Sequence, residues 1–268
     1  MPAVNLIHLR KEITGLLWEF TNPDGFRDGL MFLIDQYRTL PFRSGYGVLT
    51  SYQTPDLRIP QLVLRELELA IFQTVREQPQ AALKLCDALW DDTNIEMHIV
   101  ATRMLGQIPI EFSDEVLARI DHWTQIGLES SELRILIQNA AGLVRQKEPD
   151  RLLALAQKWC AQAEPTDQER GIQLLIFLVE DPQFINLPAV YSAIEKYLPA
   201  AQPSQQPELT ELMDLLLERS RTETSFFLRQ MLERPDSGKI IHRIARKLIS
   251  KTSEQSRPAI QKILREKP

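Results

Sequence analysis

Apolar residues recur at helical spacing along almost the whole chain, and this regularity excludes most architectures before any motif is considered. In LVLRELELAIFQTV (62–75), Leu62, Leu64, Leu67, Leu69, Ile71 and Val75 make an apolar stripe at helical spacing. Little of the sequence alternates with the two-residue period of a strand. Helix starts are marked by Thr21–Asp24, Thr93–Glu96 and Thr166–Glu169, each setting a hydroxyl to cap and a carboxylate three residues on. Pro79, Pro149 and Pro182 punctuate the intervals. The pattern predicts about a dozen helices, most of roughly ten to seventeen residues, joined by short polar turns.

Helix pairs recur at roughly the 40-residue interval of HEAT-type arrays, although no strict repeat motif can be read. Each pair in such an array buries its apolar face on the next, and the accumulating rotation curves the stack. The expected fold is therefore all-α: a HEAT-like α-α superhelix, or curved solenoid of antiparallel helix pairs, forming one domain over residues 1–268. Only PFRSGYGVLTSYQTP (41–55), with two glycines and two prolines, resists a helical pattern and reads as a long loop. Trp90 and Trp159 lie on apolar helix faces and are expected in the core.

Several functional classes drop out at this stage. No uninterrupted apolar run reaches the roughly 18 residues that a membrane span needs, and MPAVNLIHLRKEITGLLW mixes charge with apolar residues from the start, unlike a secretory signal. A cytoplasmic protein without membrane association is expected. Cys86 and Cys160 form no CxxC and read as two buried thiols. The histidines His8, His98, His122 and His242 are scattered, and no HExxH, Walker loop, GxGxxG or GxSxG occurs. No metal site or cofactor is expected.

Charge is strongly polarised. The formal net charge is -5, yet residues 219–268 hold 13 Lys or Arg against 5 Asp or Glu, a local balance of +8 that leaves -13 for residues 1–218. Within this basic segment GKIIHRIARKLISK (238–251) is amphipathic: Ile241, Ile244, Ala245 and Leu248 make a buried stripe, while Lys239, Arg243, Arg246 and Lys247 share the opposite face. Such a face can follow the phosphates of duplex DNA, or stand as a solvated surface or one meeting an acidic partner.

Specific stretches add a resemblance. YGVLTSYQTPDLRIPQLVLREL (46–67) resembles the entry segment of the DNA alkylation-repair (AlkD-like) family of HEAT-like proteins. CDALWDDTNIEMHIVATRMLG (86–106) is similar to that family's tryptophan-bearing helix pair, with Trp90, Glu96 and Ala101 broadly in place. DHWTQIG, LLALAQKW and QERGIQLLIFLVED are similar to its middle repeats, so the likeness covers roughly residues 40–200. The resemblance implies a solenoid whose concave face holds duplex DNA, and in some members excision of purines alkylated at N3 or N7.

In that chemistry the leaving base is already cationic and positive charge develops on the sugar, so a fixed carboxylate lowers the barrier. Aromatic faces hold the cationic nucleotide by cation-π attraction. Matching the family's carboxylate stretch onto GLESSEL (127–133) puts Glu132 at the catalytic position and Leu128 where the family has tryptophan, while Arg170 falls on the family's arginine. A second family aromatic has no counterpart in ELMDLLLERSR (211–221). The resemblance thus implies Glu132 as the charge-stabilising residue, with Trp123 and Arg170 binding substrate. The residues themselves leave alternatives: Glu132 as a first-turn carboxylate favoured by the helix dipole, Trp123 as core beside Ile120 and Ile126, and Arg170 in a surface ion pair. Duplex DNA is the expected partner; the other reading is a non-catalytic protein-interaction scaffold.

Overall fold

The computed structural model describes residues 5–38, 59–126, 128–196 and 198–266. The loop expected at 41–55 lies outside the described residues. Among these residues the regular structure is entirely helical: fifteen α-helices and five short 3-10 turns, with no strand. No helix among them is long and apolar enough to cross a membrane.

The chain forms two compact units. The first comprises Met1–Trp123 and Leu128–Val144, the second Thr124–Gly127 and Arg145–Pro268. In the first unit lie α1 (Leu6–Leu17), α2 (Pro23–Arg38), α3 (Gln61–Glu77), α4 (Pro79–Trp90), α5 (Ile95–Leu105), α6 (Ser113–Trp123) and α7 (Ser130–Ala140). Helix α8 (Gly142–Lys147) contributes residues to both units. The second unit continues with α9 (Pro149–Cys160), α10 (Pro165–Val179), α11 (Leu187–Glu195), α12 (Gln206–Arg219), α13 (Arg221–Glu233), α14 (Lys239–Leu248) and α15 (Arg257–Glu266).

Proline at N1 fixes the start of α4 and α9, where Pro79 and Pro149 supply a preset φ and lack only an N–H that a first turn leaves unpaired anyway. The caps differ from the expected hydroxyls. Asn22 Oδ1 accepts from Gly25 N–H at 3.4 Å, and Asn94 Oδ1 from Glu96 N–H at 3.0 Å. With Pro23 and Ile95 as first helical residues, the N-cap falls one position after Thr21 and Thr93, where asparagine does the same work. Helix α10 has Glu164 at its N-cap and no side-chain cap hydrogen bond.

Within the first unit, α1 packs on α3, α3 on α5 and α5 on α7, while α2 packs on α4. Within the second, α10 packs on α12 and α12 on α14, with α9 on α11 and α13 on α15. The helices in these pairings thus meet both a sequence neighbour and the helix after next. The apolar stripe of α3 is rotated from its expected setting: Val63, Leu64, Leu67, Ile71 and Val75 are buried, whereas Leu62 and Leu69 are exposed. Leu62 and Leu69 lie one heptad apart, so a stripe drawn by hydrophobicity alone took in a second, solvent-facing ridge. Trp90 and Trp159 are buried, as expected. So are Cys86 and Cys160, both free thiols; desolvation pushes the Cys160 thiol up to about 12 and raises that of Cys86 further.

Helix α10 carries a long unbroken buried run, with every residue from Arg170 to Val179 buried. Its C-terminal carbonyls would be orphaned in that setting. Arg219, in the last turn of α12, reaches the helix end and the loop beyond it: Nη1 donates to the carbonyls of Val179 and Asp181, both at 2.6 Å, and Nη2 to those of Pro182 (3.0 Å) and Phe184 (2.6 Å). Arg145 adds a fifth bond at 2.8 Å to the Phe177 carbonyl while lying over the Phe177 ring. Replacing Arg219 with alanine is expected to destabilise the protein by about 2–3 kcal/mol, the cost of leaving such carbonyls unpaired. Arg219→Lys should recover little, because an ammonium lacks the planar fork. Equal melting temperatures for wild type and Arg219→Ala would show that the clamp is dispensable.

Candidate functional site

Trp90 ends α4, and residues 91–94 turn the chain back into α5. The turn is self-bonded: the Asp92 carboxylate accepts from Asn94 N–H at 2.9 Å. Its carbonyl lies 2.7 Å from His98 Nε2, so Nε2 carries the proton and donates. This fold-back lays the His98 imidazole on the Trp90 indole, with centroids 4.4 Å apart and planes at 28°. Trp123, the last residue of α6, also stacks on Trp90, at 4.5 Å and nearly parallel at 6°. Each contact contributes about 0.5–1.5 kcal/mol beyond burial, and Trp90 is common to both.

Trp90 and His98 form the aromatic wall of a cleft between α5 and α7, completed by Ile95, Ile99, Thr102, Leu128, Glu132, Ile135 and Leu136. The space it encloses is small, about 20 Å³, room for little more than one water molecule. The lining is apolar apart from three groups. Thr102 Oγ1 is already engaged, donating to the Ile99 carbonyl at 3.0 Å and accepting from Asn139 Nδ2 at 3.1 Å. His98 has its bonded Nε2. Glu132 is the one carboxylate.

Glu132 stands at the third position of α7. Its Oε2 accepts from the Glu129 N–H at 3.3 Å, half of a capping box, while α7 is anchored by buried Leu133, Leu136, Ile137 and Ala140. The far ends of α5 and α7 are held at glycine distance: a Cβ on Gly106 would lie 1.9 Å from the Asn139 carbonyl oxygen. The Thr102–Asn139 hydrogen bond ties the same two helices. The stretch HWTQIGLESSELR therefore comprises the end of α6, a 3-10 turn over Thr124–Ile126 and the first turns of α7.

The other predicted residues lie elsewhere. Trp123 is only 2% exposed and backs Trp90; it is not itself among the residues lining the cleft. Arg170 belongs to the second unit and is 8% exposed. It packs over the Trp159 ring at 4.9 Å, donates to Thr124 Oγ1 at 2.9 Å and is ion-paired with Asp167. Lys239, Arg243, Arg246 and Lys247 are all exposed on one side of α14, whose opposite side buries Ile240, Ile241, Ile244, Ala245 and Leu248. Among the described residues no ion pair joins any of the four; Arg243 reaches only Gln206 Oε1, at 3.5 Å. By contrast Lys251, in the next turn, is held by Asp214 and Glu218.

The residue that sequence reasoning passed over is His98, which was one of four scattered histidines until the fold-back placed it on Trp90. The signal was available: Trp90 closes one helix and His98 falls in the first turns of the next, across a turn of four residues. Among the described residues no cluster of His, Cys, Asp or Glu could hold a metal ion.

No protein-family model matches the chain. Neither the curated proteins nor the solved structures give a match.

The geometry separates two roles. Trp123→Ala is expected to cost about 3–5 kcal/mol, the range for emptying a buried aromatic position, whereas Glu132→Gln should leave stability nearly unchanged because a glutamine oxygen serves the same capping box. Gly106→Ala should destabilise by about 1–3 kcal/mol through overpacking against Asn139. Gly15→Ala is its control, since a Cβ there meets nothing within 4 Å. Thermal melts of the four variants check the ranking, and a Gly106→Ala protein as stable as Gly15→Ala would contradict the close approach.

Proposed function

We propose that the chain is a cytoplasmic, HEAT-like α-α superhelical protein that binds duplex DNA and acts in alkylation repair. In this reading its helix pairs form one array over residues 1–268. The helix-to-second-neighbour packing inside each unit supports the HEAT-like assignment, since stacked pairs bury their faces in that way. The observation that carries DNA binding is the face of α14: four cations at helical spacing, exposed and free of ion pairs among the described residues, on a helix secured by its apolar side. Each phosphate neutralised by such a face releases counterions, which makes binding tight at low salt and steeply weaker as salt rises.

The chemistry proposed is release of an N3- or N7-alkylated purine. Glu132 lines the cleft beside Trp90 and His98; in this reading its carboxylate stabilises charge developing on the sugar and the aromatic residues add cation-π attraction to the cationic base. Trp123 supports the wall from behind. Arg170, buried and bonded to Thr124 and Asp167 over the Trp159 ring, holds its unit together; the backbone contact that the resemblance implies requires it to leave these partners.

A second reading, a non-catalytic protein-interaction scaffold, is favoured by one observation: Leu128 occupies the cleft position at which the resembled family carries tryptophan.

Two measurements test the proposal. Retention on a duplex should weaken with salt, and reversing Arg243 and Arg246 to glutamate should reduce the slope of log affinity against log salt by about 2, for all sequences alike. With a duplex carrying N7-methylguanine, Glu132→Gln should abolish base release while affinity stays within about twofold, because the lost charge matters only in the transition state. Absence of retention by the unmodified protein at low salt overturns DNA binding. Retention without base release leaves the scaffold reading.

A further inference from the structure

We infer that copies of this chain associate head to tail, an apolar, cationic face on α1 and α3 of one copy meeting an apolar, acidic stripe on α2 of the next. Large apolar side chains left exposed in a cluster mark interaction surfaces, and the first unit carries such a cluster. Ile7 and Trp18 are 85% and 84% exposed and stand eleven residues apart, about three helical turns, so they share one side of α1. Leu16, two and a half turns from Ile7, faces Gly29 of α2, so the exposed side of α1 points away from α2. On α3 the exposed ridge is Leu62 and Leu69. The two ridges are neighbours: Arg10, one turn from Ile7, donates through Nε at 2.7 Å to Glu66, one turn from Leu62. Lys11 beside Ile7 and Arg65 between the two leucines are exposed, which makes this face cationic.

Helix α2 shows the complementary character. Phe32 is 71% exposed, and Asp24, Asp28 and Asp35 are exposed on the same side of the helix. Arg27 pairs with Asp24 and Asp28 and offsets one of the three charges, so the stripe stays acidic. Neither face suits a copy of itself, because a two-fold contact would set like charges opposite one another. A cationic face on an acidic one attracts, and the contact buries Trp18 and Phe32, the residue types that anchor protein interfaces. The patches that meet are different, so the contact is heterologous and each copy keeps one face open for the next. The association needs neither DNA nor the α5–α7 cleft, and it stands apart from the proposed function.

Sedimentation of the full chain tests it. The weight-average mass should exceed that of one chain and rise with protein concentration at low salt, and fall as salt screens the charges. Trp18→Glu and Phe32→Lys, both at exposed positions, should melt as the wild type does and weaken self-association by about tenfold or more, the effect of losing an aromatic anchor. Mixed together they should form a one-to-one dimer and nothing larger, since the first retains the acidic stripe and the second the cationic face. Lys11→Glu with Asp28→Lys is the substitute pair should either variant melt early. A wild type that sediments as one chain at every concentration overturns the inference. So do variants that associate as the wild type does, and a mixture that stays monomeric.

Discussion

A helix buried on every side has no water to take up its last carbonyls, and the second unit is organised around that requirement. Helix α10 is enclosed from Arg170 to Val179, so its end must find donors inside the protein. One guanidinium from α12 bonds the Val179 carbonyl and three carbonyls of the loop beyond, and Arg145 bonds that of Phe177, which ties α12 to the end of α10. At the other end Arg170 lies over Trp159 and bonds Thr124, fixing α10 against α9 and the preceding turn. The arginines of this unit therefore include some spent on backbone carbonyls and others spent on side chains. The two on α14, Arg243 and Arg246, are left for solvent together with its lysines.

The first unit meets a different constraint: two helices, α5 and α7, approach closely at one end. Gly106 against the Asn139 carbonyl sets one end of α5 and α7, and the cleft is lined by residues towards their other ends. The aromatic wall of that cleft is made by the α4–α5 fold-back, and its carboxylate sits where a capping box also needs one. Glu132 thus has a local structural use that does not consume its second oxygen, so capping and ligand contact are compatible in one residue.

Much of the architecture was legible in advance because helical period is a local property. The all-helical class, the burial of Trp90, Trp159 and both thiols, and the two faces of α14 follow from spacing alone. Phase was harder. Leu62 and Leu69 share a heptad with one another but lie opposite Val63, Leu67 and Ile71, and only packing reveals which set is inside. The caps slipped by one residue because asparagine and threonine are adjacent in both Thr21–Asn22 and Thr93–Asn94, and the first helical residue decides between them. In the cleft, Glu132 was identifiable from its stretch. His98 was not, because its meaning depends on a partner eight residues away that becomes a neighbour only when the chain reverses.

The two cysteines carry a consequence for how this protein withstands reactive surroundings. Attack on an electrophile or an oxidant is made by the thiolate, and burial holds both sulfurs protonated, with Cys160 near 12 and Cys86 higher still. At neutral pH the anionic form is a vanishing fraction, and the sulfur atoms are also shielded by their neighbours; Cys160 Sγ lies close under Gly171. The folded chain is thus a poor nucleophile towards the small alkylating agents and peroxides that modify exposed thiols. Its inactivation by such reagents would proceed through transient opening, at a rate that reports how often each unit unfolds.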